Sequence, residues 1–168
     1  MDIQDWGAIG ELVSAVAVVV SIAYLSVQIR SNTRATRARA NFDATHSWAT
    51  INELVSDYEP DLLKAIQDSY KQEHAWESFD EFTRMRLGLI HRALFQKLEG
   101  QYFLYADGYL ERNLWQKRCS WAAGLVNLPF YAKWWEDEKE LAIYSDQFIG
   151  AIDRSTAILV RMTGSDQL

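Results

Sequence analysis

Three histidines, one cysteine, a glutamate inside an apolar run and two adjacent tryptophans are the residues whose types could do chemistry in this chain. A metal centre needs converging ligands, and a di-metal site in a helical bundle would want two Glu-x-x-His repeats. Only Asp43-Ala44-Thr45-His46 has a similar spacing, and it occurs once. His74 and His91 have no histidine or carboxylate at helical spacing that completes a set. No metal and no cofactor is expected. Cys119 lies between Arg118 and Ser120, where a neighbouring cation would lower its pKa, and His91 is a conceivable base for it. No nucleophile signature flanks it, and a lone helical cysteine is usually a small packing residue. There is no Gly-rich phosphate loop and no G-x-S-x-G elbow. No catalytic residue is assigned, and the chain reads as a non-enzyme.

Glu11 differs because of where it sits. From Trp6 to Ile29 it is the one charge in 24 residues, eleven of which are Leu, Ile or Val. At about 1.5 Å per residue the run is roughly 36 Å of helix, enough to cross about 30 Å of hydrocarbon. The eleven large aliphatic side chains supply roughly −3 to −7 kcal/mol of insertion energy, and Glu11, near one end, cancels only part of it. An acidic start argues against a cleaved signal peptide. A transmembrane helix is expected, with a buried soluble helix as the alternative.

One face of that run carries Gly7, Gly10, Ser14, Ala17, Ser21, Tyr24 and Gln28 at alternating spacings of three and four, continued by Ser31, Ala35 and Ala38. Small residues on one seam let membrane helices approach closely, and a 3.5-residue period favours parallel left-handed packing. A parallel homo-oligomer is expected through this seam. In a ring of four or more copies, Ser14, Ser21 and Gln28 would line a polar path with Glu11 near its mouth, an arrangement suited to cations.

The charge distribution sets direction. Residues 1–29 carry Asp2, Asp5 and Glu11 and no cation; residues 30–39 carry Arg30, Arg34, Arg37 and Arg39 and no acid. The remaining residues hold 13 basic and 20 acidic groups, a net of −7. The positive-inside rule places Asp2 outside and everything from Arg30 onward in the cytoplasm of a bacterial-type inner membrane. The arginines also suit anionic lipid headgroups. The acidic body argues against a nucleic-acid partner, and the single cysteine suits a reducing compartment.

An all-α fold is expected. No Gly or Pro interrupts residues 30–57, so the membrane helix should continue as a stalk to about residue 57. Residues 58–162 read as a cytoplasmic helical bundle. Pro60 opens a short helix to about Tyr70, and Ser78 to Glu81 reads as an N-cap leading a helix to about Ala106. On that helix Leu87, Ile90, Leu94 and Leu98 form one stripe, with Phe82, Met85, Leu89 and Ala93 beside it, a width that predicts a largely buried face. Asp107-Gly108 ends it, further helices cover about 110–124, 130–141 and 145–162, and residues 163–168 should be loose. The cluster of Tyr131, Trp134, Trp135, Tyr144 and Phe148 reads first as core packing; Trp134 and Trp135, being adjacent, should not both face the same core, so the alternative is that one meets a partner subunit, a hydrophobic ligand or the membrane surface. Glu136 to Glu140 reads as a solvated face.

The stretch WGAIGELVSAVAVVVSIAYLSVQIRSNT resembles the N-terminus of a group of small uncharacterised bacterial proteins with one membrane helix ending in Gln-Ile-Arg-x-Asn-Thr. The stretch WWEDEKELAIYSDQFIGAID is similar to their C-terminal Trp-Trp helical motif. This chain has Asn127-Leu128-Pro129 and Tyr144-Ser145-Asp146 where that group usually has Asn-Pro-Gly and Ser-Pro-Glu. The resemblance implies a membrane anchor and helices, and no activity. The expected role is a membrane-anchored, self-associating structural or interaction module whose partners are lipid and other copies of itself. A homo-oligomeric channel and an accessory subunit held by other membrane proteins are the alternatives.

Overall fold

The computed structural model describes residues 3–56, 58–71 and 76–164, with side chains over 10–50, 58–71 and 76–162. The protein is all-α: α1 (Ile3–Ser56), α2 (Pro60–Ser69), a 3-10 turn (Trp76–Ser78), α3 (Glu81–Ala106), α4 (Arg112–Val126), α5 (Pro129–Glu140) and α6 (Asp146–Gly164). No strand occurs among the described residues. The expected loose tail is helical as far as Gly164, and residues 165–168 lie outside the described residues, as do Asp2 and His74.

Helix α1 runs for 54 residues without a break past Arg30, as the lack of Gly and Pro requires. The chain divides into two compact units, Met1–Arg39 and Ala40–Leu168. The helical domain therefore includes the C-terminal part of α1. Ala44 is buried there, its carbonyl accepts from Gln101 Nε2 of α3 at 3.3 Å, and Trp48 meets Trp121 of α4 edge-on at 4.9 Å.

Local chemistry accounts for most helix ends. Pro60 and Pro129 each stand in a first turn, where no backbone N–H is needed. Helix α3 begins two residues later than Ser78 suggested. Ser78 closes the 3-10 turn, and Asp80 is the cap: its carboxylate accepts from Thr83 N at 3.0 Å and Thr83 Oγ1 at 2.6 Å. Those bonds hold the Asp80 carboxyl below its usual range. Gly108, at φ +75°, ends α3 in the left-handed conformation that costs glycine least.

The bundle core is aromatic. Phe95 of α3 touches Trp134 and Trp135 of α5 at 5.0 and 5.1 Å between centroids, and Phe148 of α6 at 6.4 Å. Each such ring removes roughly 150–250 Å² from water. The first stripe on α3 is confirmed at Leu87, Leu94 and Leu98, which are buried. The second is not: Phe82, Met85 and Leu89 are more than half exposed, and Ala93 is exposed too. Helix α3 is covered on one side only, so its second stripe remains an apolar surface joined by the exposed Leu141.

Candidate functional site

The described side chains of the first unit, from Gly10 on, are exposed along nearly its whole length. The most apolar 18-residue window of α1 has a mean hydropathy of 2.2, is long enough to cross a membrane, and is 0% buried. Gly10, Glu11, Ser14, Ala17, Ser21, Tyr24 and Gln28 of the expected seam are all exposed, and Gly7 precedes the first described side chain. Four hydroxyls along this stretch are engaged within the helix itself. Ser14 Oγ donates to the Gly10 carbonyl and Ser21 Oγ to the Ala17 carbonyl, both at 2.8 Å. Ser26 and Thr33 do the same to Ile22 and Ile29. Such back-bonding lowers the cost of placing a hydroxyl in an apolar medium. It also means the seam's serines have spent their protons within their own helix. Arg30, Arg34, Arg37 and Arg39 are exposed, and at 100° per residue the first three share one side while Arg39 lies opposite.

The second unit encloses a polar chain within its core. His91 is 1% exposed and Tyr131 is at 0%. Position 91 is one turn after Leu87 and just before Leu94, so the apolar stripe itself carries the imidazole inward. His91 Nδ1 lies 2.8 Å from the Leu87 carbonyl oxygen, which can only accept, so Nδ1 bears the proton. His91 Nε2 lies 2.8 Å from Tyr131 Oη, and Tyr131 Oη lies 2.7 Å from Ser69 Oγ at the end of α2. Ser69 Oγ in turn reaches the Ile66 carbonyl at 2.7 Å. The Tyr70 ring, partly exposed, packs beside that of Tyr131 at 5.6 Å between centroids. Burial pushes His91 down to about 4 and raises both tyrosines, so all three are neutral at pH 7. None of them is poised for acid–base catalysis at neutral pH. Sequence reasoning missed this cluster because its members are 40 and 62 residues apart. The one available signal was a histidine on an apolar stripe.

Glu138 departs from the expected solvated face. Its side chain is 4% exposed and accepts a forked pair from Arg92, at 2.8 Å from Nε and 2.6 Å from the terminal nitrogen. The bond to Glu138 raises the Arg92 pKa. The other acids of that run behave as expected: Asp137 pairs with Lys133, and Glu136 with Lys139 at 2.7 Å.

The core-packing reading of the aromatic cluster holds, and the alternative, an outside contact for one tryptophan, is corrected. Trp134 and Trp135 are both buried, at 2% and 3% exposure. Both reach the core because α5 is covered on two sides. Trp134 faces Phe95 and His91, while Trp135 faces Tyr144 and donates from Nε1 to Asp153 of α6 at 3.1 Å. Neither ring is available to an outside partner. Cys119 is buried against α6, with Sγ 3.6 Å from the Ala151 carbonyl, and burial raises its pKa. Its partners are on α6, whereas those of His91 are on α2, α3 and α5, so the two do not form a nucleophile pair. Among the described residues no group of three His, Cys, Asp or Glu side chains is arranged to hold a metal ion.

No protein-family model, no curated protein and no solved structure matches this chain.

Proposed function

We propose that this protein is a membrane-anchored, self-associating helical module, held in a bacterial inner membrane by α1 with its acidic start outside and its helical domain in the cytoplasm. The observation that carries the reading is the exposed apolar window of α1. A run of that hydropathy with no tertiary cover is costly in water, and a core helix of a soluble domain would be buried. Lipid is the cover that also suits its length, its back-bonded hydroxyls and the arginines that follow it.

Self-association rests on the small-residue seam from Gly7 to Gln28, now with a narrower basis. Because Ser14 and Ser21 donate to their own helix, close backbone approach rather than hydroxyl bridging holds the copies together. An interaction role for the domain is supported by the exposed Phe82, Met85 and Leu89 stripe.

The test is fractionation and crosslinking of the full chain in membranes. The protein is expected to stay with lipid through an alkaline wash and to crosslink as a ladder. Ser21→Leu should abolish the ladder and Ser21→Ala should leave it, since bulk is the variable. A chain that stays in the soluble fraction, a reporter at residue 1 that proves cytosolic, or a ladder indifferent to Ser21→Leu would overturn the corresponding part.

A further inference from the structure

The polar chain through His91 has an arithmetic that its neutral form cannot satisfy. Four contacts run in series: Leu87 carbonyl, His91, Tyr131, Ser69, Ile66 carbonyl. Both ends are carbonyl oxygens and can only accept. A neutral imidazole, a phenol and a hydroxyl carry one proton each, so three protons must serve four contacts. One more proton, on His91, fills every contact. Nδ1–H then donates to Leu87, Nε2–H to Tyr131, Tyr131 O–H to Ser69 and Ser69 O–H to Ile66.

The closed bundle nonetheless resists that proton, because the imidazolium would have no counter-charge. From α2 the group facing His91 is Tyr70, with ring centroids 6.4 Å apart, and from α5 it is Tyr131. On its own helix the neighbouring Arg92 is committed to Glu138 of α5. Among the described residues no carboxylate and no cation acts on the imidazole, and desolvation dominates.

We infer that His91, Tyr131 and Ser69 form a proton-operated latch on α2: neutral His91 keeps α2 seated against α3 and α5, and proton uptake by His91 releases it. Helix α2 is the element that yields because it is held least. It has 10 residues, and only Leu62 and Ser69 are buried, whereas α3 and α5 are joined by Phe95, Trp134 and Trp135. Lifting α2 draws away the Tyr70 ring that faces the imidazole, along with Ser69, the far partner of Tyr131, and lets water reach the charge.

The direction follows from the two pKa values. With α2 seated His91 titrates at about 4, and a hydrated imidazole titrates near its ordinary 6.5. The seated state therefore keeps its full advantage above about pH 6.5 and loses it as the pH falls toward 4. The opening constant of α2 should rise about 30-fold between pH 8 and pH 5, with a ceiling of about 300-fold below pH 4.

Amide hydrogen exchange of the full-length protein in lipid nanodiscs at pH 8 and pH 5, corrected for intrinsic rates, tests this. Amides of α2 should open about 30-fold more at pH 5 while those of α4 keep their protection. In His91→Gln the difference between the two pH values should vanish. Should that variant fail to fold, two measurements stand in its place. Ser69→Ala cuts the tie and should raise α2 opening at both pH values while keeping their ratio. Direct NMR titration of His91 in the native chain should give a midpoint below 5. The latch is refuted if α2 protection is independent of pH, if α2 and α4 open together, if the effect survives in His91→Gln, or if His91 titrates near 6.5.

Discussion

Val18, Val19 and Val20 of the first unit are 57%, 66% and 61% exposed, while Phe95, Phe130, Tyr131 and Phe148 of the second are at 0%. Both units are helical and rich in apolar side chains, yet they place that surface in opposite directions. The first satisfies its polar groups locally: backbone bonds run along α1, and Ser14, Ser21, Ser26 and Thr33 fold back on carbonyls four residues earlier. It needs a suitable medium more than a tertiary partner. The second pairs several of its most buried polar groups at long range, through Ser69–Tyr131, His91–Tyr131 and Arg92–Glu138, and so needs the whole bundle assembled. Hydroxyls bonded within their own helix tolerate lipid, whereas a buried histidine or glutamate tolerates its site only while its distant partners are present.

Three variants, the last with its rescue, break that contrast in order of expected effect. Ala17→Arg with Val20→Arg adds about 5–7 kcal/mol to insertion, enough to cancel the aliphatic contribution of the whole run. The chain should leave the alkali-washed membrane fraction while the near-ultraviolet circular dichroism of its aromatic core is unchanged. Trp134→Ala acts on the other side. It removes a ring that is 2% exposed and should cost the bundle about 3–5 kcal/mol in thermal unfolding, with membrane retention unaffected. Arg92→Met leaves the 4% exposed Glu138 without its partner. Breaking a fully buried pair costs about 3–5 kcal/mol, and because Arg92 is one-third exposed the expected loss is about 2 kcal/mol. Adding Glu138→Leu should restore most of it, since an apolar pair needs no compensation.

Much of the helical layout was legible because its causes are local. Pro60 and Pro129 open helices, Gly108 ends one, and the uninterrupted stretch after Arg30 lets α1 continue. The start of α3 was misplaced because Ser78 and Asp80 are both competent caps, and only the bonds to Thr83 decide between them. The α3 stripes show the limit more clearly. Periodicity placed Leu87, Leu94 and Leu98 on one side and Phe82, Met85 and Leu89 on another, but it carries no information about which side another helix covers. For Trp134 and Trp135 a sound local rule, that adjacent helical residues point apart, led to a wrong alternative, because α5 is covered in both directions.

The amino-acid sequence by itself determined the helices, the apolar run, the arginine cluster behind it and the acidic balance of the rest, because each depends on residue type and spacing over a few turns. Only the tertiary structure decided that the apolar run goes uncovered, that both tryptophans are enclosed, and that His91 meets Tyr131 and Ser69 across 40 and 62 residues. Burial and long-range hydrogen bonding belong to pairs of elements, and the pairing of elements is set by how the whole chain packs.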